Sequence, residues 1–103
     1  MTERVFGVAE IAETGLDGWH VVLPHLEARF ATGDFDTGLD MVNRIAIVAR
    51  EMNHHPDLDL RYSYLDVRLL SHDIGALTQR DVDLAGQIAA IATDLGIDTD
   101  APN

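Results

Sequence analysis

A chain of 103 residues, 47% of them hydrophobic, is long enough to bury one core and too short to divide into two domains, so residues 1–103 are expected to form a single domain. Eighteen acidic residues against seven basic ones leave a formal charge of −11, which repels phosphate backbones and anionic membranes and argues against direct nucleic-acid binding. With no cysteine there is no disulfide framework, no thiolate nucleophile and no Cys-based zinc or iron–sulfur site. No apolar run is long enough to span a membrane and no secretory pattern opens the chain, which predicts a soluble, cytoplasmic protein without a membrane partner.

Residues 1–15 carry Val5, Phe6, Val8, Ala9, Ile11 and Ala12, a spacing that fits a short amphipathic helix or an irregular arm. Gly15 and Gly18 then punctuate the chain before Trp19. From Trp19 to Ala31 the apolar residues alternate, as Trp19, Val21 and Leu23 and then Leu26, Ala28 and Phe30, with Pro24-His25 at the turn of a hairpin. On residue type alone Trp19 reads as a core anchor.

Asp34 or Asp36 is placed to cap the next helix, whose apolar stripe runs Phe35, Leu39, Val42, Ile45, Ala46, Ala49, Met52. Pro56 disfavours helical geometry at His55, so the helix is expected to end near Asn53 or His54. Leu58, Leu60, Tyr62 and Tyr64 share one parity and predict a half-buried strand; a second strand starts near Leu65 or Asp66 and delivers Ser71-His72-Asp73 at its end. Thr78-Gln79-Arg80-Asp81 resembles a capping box, followed by the stripe Val82, Ala85, Ile88, Ala89, Ala92, Leu95 and by Gly96 as terminator. Residues 97–103 read as a frayed acidic tail. The order hairpin, helix, hairpin, helix predicts an α+β two-layer sandwich: a four-stranded antiparallel sheet with two or three helices on one face. A layer this thin leaves sheet or edge uncovered, so self-association is expected.

Three of the five histidines, His54, His55 and His72, fall at the ends of predicted elements. Imidazole titrates near neutrality, so rings that converge on one pocket can both give and take protons. Asp73 or Asp81 is placed to bond a ring nitrogen of His72 and fix its tautomer, although helix capping alone would also account for Asp81. Three histidines and an aspartate could ligate zinc, but adjacent residues diverge and no His-x-x-x-His pattern occurs, so no metal site is expected. His20 and His25 read as ordinary strand and turn residues.

The run Asn53-His54-His55-Pro56, with Tyr62, His72 and Asp81 at fixed spacings after it, resembles the signature of the pterin-4a-carbinolamine dehydratase family. Gly18-Trp19, Phe35, Val42-Asn43-Arg44 and Leu77-Thr78-Gln79-Arg80-Asp81 extend the resemblance over most of the chain. It implies dehydration of 4a-hydroxytetrahydrobiopterin, the carbinolamine left by aromatic amino-acid hydroxylases, to quinonoid dihydropterin, without metal or organic cofactor. On that resemblance His54, His55 and His72 carry the proton transfers. Trp19, Pro56, Ser71 and Asp81 bind the pterin or support the site, and the protein is a homodimer or homotetramer. Where the family usually places an acidic residue, this chain has Arg50, which bears on pterin affinity or preference. Some relatives serve instead as non-catalytic dimerisation partners or assembly factors, so the resemblance leaves a binding module as the alternative to an enzyme.

Overall fold

A computed structural model describes residues 3–99. In chain order the elements are β1 (Val5–Phe6), α1 (Val8–Ala12), β2 (Trp19–Val22), β3 (His25–Ala31), α2 (Phe35–Met52), β4 (Asp57–Leu60), β5 (Leu65–Leu69), β6 (Leu77–Thr78), α3 (Gln79–Leu95) and β7 (Asp98–Thr99). The strands β2-β3-β5-β4 lie side by side, all antiparallel, and β7 adds a short pairing to β3. This is the α+β architecture expected from the alternation of the apolar residues.

Register explains why one face is sealed. Leu26 sits opposite Leu69, Ala28 opposite Val67 and Phe30 opposite Leu65, so every residue of the buried parity on β3 meets an apolar partner on β5. Side chains alternate along a strand, which sends Glu27, Arg29, Asp66 and Arg68 to the other face. Met41 and Ile45 of α2 and Leu84 and Ile88 of α3 close over the apolar face and are wholly buried, and Ile11 of α1 joins the same core.

Both long helices are bounded by their own side chains. Asp34, not Asp36, caps α2 by accepting from the Thr37 N–H at 2.7 Å. That bond holds the Asp34 carboxyl below the usual carboxylate range. Thr78 and Asp81 form the expected box at the start of α3.

The phase of α2 differs from the simple stripe. Gly38, Met41, Ile45 and Ala49 face the core, whereas Phe35 and Leu39 remain 47% and 42% exposed. Gly38 sets this rotation: a Cβ there would come within 2.6 Å of Leu60 Cδ1, so its absence lets α2 approach β4 on that side. In α3 the core face likewise includes Leu84, outside the expected stripe.

Three further departures concern short segments. The strand expected through Tyr64 ends at Leu60, and Arg61 to Tyr64 form the turn into β5. The N-terminal arm contains α1 but also β1, which pairs with β6 through Val5 opposite Thr78 and Phe6 opposite Leu77. The frayed tail is corrected at residues 97–99. Gly96 takes a left-handed conformation, the Ile97 N–H returns to the Ala92 carbonyl at 2.8 Å, and Ile97 is buried while Asp98 and Thr99 pair with Ala31 and Phe30. Thr99 lies where a side chain on Gly18 would stand, its Cγ2 being 2.4 Å from that Cβ position, so the glycine leaves room for β7 beside β2. The remaining parts of the expected arm and tail, residues 1–2 and 100–103, lie outside the described residues.

Candidate active site

The exit of α2 places the first histidine. Asn53 adopts a left-handed conformation (φ 50°), and the His54 N–H bonds back to the Ala49 carbonyl at 3.1 Å, a helix ending in which the residue after the left-handed one folds inward. Here that residue is a histidine, 6% exposed. Asparagine is one of the few side chains that tolerate this backbone, and Pro56 two residues beyond His54 prevents the helix from continuing.

The first turn of α3 receives it. His54 Nε2 lies 2.7 Å from Asp81 Oδ1, and Asp81 is completely buried. The other carboxylate oxygen, Oδ2, accepts from Ser71 Oγ at 2.7 Å and from the Thr78 N–H at 2.9 Å. Because Ser71 gives its single hydroxyl proton to Asp81, the 2.7 Å contact between Ser71 and Thr78 hydroxyls must be donated by Thr78. Every hydrogen around Asp81 therefore points at it, the arrangement of an acceptor-only carboxylate. Against an ionised Asp81, His54 is the donor at Nε2. Among the described residues the other ring nitrogen, Nδ1, makes no hydrogen bond.

This geometry corrects one expectation and joins two others. Asp81 orients His54 and not His72, and Asp73 pairs with Arg80 and not with a histidine. The capping and orienting roles weighed for Asp81 coexist, since one oxygen serves the helix and the other the imidazole.

His72 follows Ser71 in a tight turn, closed by the Ser71 N–H on the Ala76 carbonyl and by the Ile74 and Gly75 N–H groups on the Ser71 carbonyl. It is exposed, as is His55. Among the described residues no hydrogen bond joins any two of the three imidazoles. His55 opens instead on a groove of about 310 Å³ formed by Val42, Ile45, Ala46, Ala49, Arg50, Pro56 and Leu58. Arg50 stands on that groove in the last turn of α2 and makes no ion pair within the described residues.

Trp19 is 7% exposed and packs edge-on against Phe30, with centroids 5.9 Å apart, the core position expected from residue type. It borders a depression with Val8, Ile11 and Leu16, to which none of His54, His55 and His72 contributes. Its indole N–H is buried without an acceptor in the described residues. Tyr62 is 73% exposed in the β4–β5 turn.

Two residues that sequence reasoning did not single out complete the surroundings. Thr78 supplies both a backbone and a side-chain hydroxyl to the network, and Arg80 bonds Asp73 and Glu3. Both stand inside the capping-box tetrapeptide that also carries the family resemblance, but neither was given a site role of its own there.

Comparison with known proteins identifies the family and the fold. The family model described as pterin 4 alpha carbinolamine dehydratase matches residues 7–91. A homologue from Acidobacterium capsulatum named for that family is 38% identical over 78 residues, spanning 76% of this chain and 85% of its own. One from Rhodopseudomonas palustris is 34% identical over 100 residues, spanning 94% of this chain and 99% of its own. The crystal structure of a transcriptional coactivator/pterin dehydratase from Brucella melitensis superposes with a TM-score of 0.81 at 29% identity, over 86% of this chain and 99% of that one. A pterin dehydratase-like protein identified as a RuBisCO assembly factor in the alpha-carboxysome shares the fold, with a TM-score of 0.59 at 21% identity over 72% of this chain and 86% of that one.

Proposed function

This chain belongs to the pterin-4a-carbinolamine dehydratase family, and from that membership we propose that it is an active hydro-lyase on a 4a-hydroxytetrahydropterin. The observation that supports the proposal is the His54–Asp81 pair, in which a buried carboxylate holds one ring nitrogen of the imidazole that follows α2.

Dehydration breaks the C4a–O bond. The departing hydroxyl takes a proton and leaves as water, N5 loses its proton, and the N5 electron pair forms the C=N bond of the quinonoid dihydropterin. An acid and a base suffice, and positioned imidazoles supply both without metal or organic cofactor. His54 Nδ1 is suited to receive the N5 proton, because Asp81 fixes the tautomer and stabilises the imidazolium as it forms. His72 and His55, both solvent-accessible, are the donors to the departing hydroxyl and the contacts to the pterin edge. Ser71 and Pro56 support the site through the turn and the helix exit they shape. Family resemblance alone assigns Trp19 a pterin contact; within this chain it is a core residue.

The working form is a homodimer or homotetramer in the cytoplasm. Phe35 and Leu39, with half-buried Val42 and Ala46, form one apolar stripe along α2 that a second copy would cover. No helix within the described residues is long and apolar enough to cross a membrane.

A non-catalytic assembly or dimerisation module is the competing reading, favoured by Arg50 at a position where the family usually carries an acid. Generating the carbinolamine in situ with a hydroxylase separates the two. We expect this chain to accelerate water loss at rates unaffected by chelators; no acceleration by the folded protein would leave the binding module.

A further inference from the structure

His72 makes no hydrogen bond of its own within the described residues, yet the residues on either side of it are both tied to the first turn of α3. Ser71 bonds Asp81 and Thr78. Asp73 receives the Arg80 guanidinium, with Nη2 at 2.9 Å from Oδ1 and 3.2 Å from Oδ2. The same guanidinium reaches the N-terminal segment, where Nε lies 3.0 Å from Glu3 Oε2 and Nη2 lies 2.9 Å from Oε1. Glu3 is two residues from β1, which is itself paired to Thr78. The first turn of α3 thus holds His54 by Asp81, one neighbour of His72 by Asp81 and Thr78, and the other by Arg80.

We propose that Arg80 is a positioning residue. By fastening Asp73 to α3 it fixes the backbone that aims His72, and through Glu3 it makes the N-terminal strand part of the same restraint. Isolated surface ion pairs restrain little, because each partner loses side-chain freedom for a screened attraction. This one differs in that a single guanidinium serves two carboxylates with most of its fork, so one ordered side chain supports two contacts. The contacts are strong enough to hold both the Asp73 and the Glu3 carboxyl below their ordinary range, in each case chiefly through the hydrogen bond from Arg80. Lysine could not reproduce the arrangement, since a point charge lacks the planar fork.

The inference deepens the dehydratase reading but is testable apart from it. The measurement is the backbone order parameter of the His72 N–H by NMR relaxation, in wild type, Arg80→Met, Asp73→Asn and the double variant. Methionine keeps an apolar stem and removes the guanidinium. Wild type should give a rigid value, about 0.85, and both single variants should fall toward about 0.6. The double variant should fall no further, as groups acting through one contact are non-additive. Carbinolamine dehydration should then lose severalfold in kcat with KM held, and Arg80→Lys should recover only part of it. An unchanged His72 order parameter in Arg80→Met, or additive losses, would overturn the inference whether or not the chain dehydrates carbinolamines. A wild type without turnover would overturn the proposed function and leave the NMR result to decide this one.

Discussion

Asp81 is wholly buried, and a carboxylate is tolerable there because three donors meet it, from His54, Ser71 and the Thr78 backbone. Replacing it separates its two duties. Asp81→Ala leaves all three donors without an acceptor, which should cost about 2–4 kcal/mol and lower the melting temperature by roughly 10–25 °C. Asp81→Asn should keep most of the fold, since its carbonyl oxygen can still accept from Ser71 and Thr78. Its amide nitrogen, however, would then donate to His54 Nε2 and force the proton onto Nδ1, removing the base. Turnover should fall by at least about 10²-fold, with a near-normal melting curve. Equal activity in wild type and Asp81→Asn would show that the tautomer of His54 is irrelevant. At this scale the sequence supplied the residue types but not the partnership. Asp81 lies 27 positions from His54, and local spacing cannot say which imidazole a distant carboxylate meets.

The elements explain how that meeting is arranged. α2 must end so that its next residue turns inward, and Asn53 in the left-handed region does this. Asn53→Gly should therefore leave stability and His54 in place, whereas a branched Asn53→Val should cost about 1–2 kcal/mol, measurable by urea unfolding. Comparable stability in the two variants would mean that the backbone conformation at this position is not what ends the helix. Helices and hairpins were legible because caps, proline and alternation act locally. What was hidden is phase and brevity. α2 carries more apolar residues than one face can hold, so its pattern could not reveal that Gly38 would turn Met41 inward and leave Phe35 and Leu39 exposed. β1, β6 and β7 are two residues each, too short for any period to register.

Across the whole molecule the sheet lies between two unlike surfaces, a sealed apolar face under the helices and a charged outer face on which Arg29 and Asp66 pair at 2.7 Å. The proposed site is assembled from three places in the fold: the exit of α2, the turn after β5 and the start of α3. The apolar stripe of Phe35 and Leu39 runs along α2 and leads, through Val42 and Ala46, to the groove at His55. If a second copy covers it, then replacing Phe35 and Leu39 together by aspartate should convert the assembly to monomers in light scattering, without lowering helix content. A wild type that is already monomeric would remove the oligomer from this account. The antiparallel α+β arrangement was legible from the order of patterns. Its edges were not, because β7 joins β3 through Asp98 and Thr99 alone, a pair too short to carry a strand signal, with room left by Gly18.

The most direct test of the account is the turnover number for carbinolamine dehydration in His54→Ala and His72→Ala beside the wild type, with folding checked by circular dichroism. His72 is exposed, so its loss should leave the structure intact while kcat drops by roughly 10²-fold or more; His54→Ala should fall at least as far. Wild-type rates in both folded variants would contradict the assignment of the proton transfers to these imidazoles.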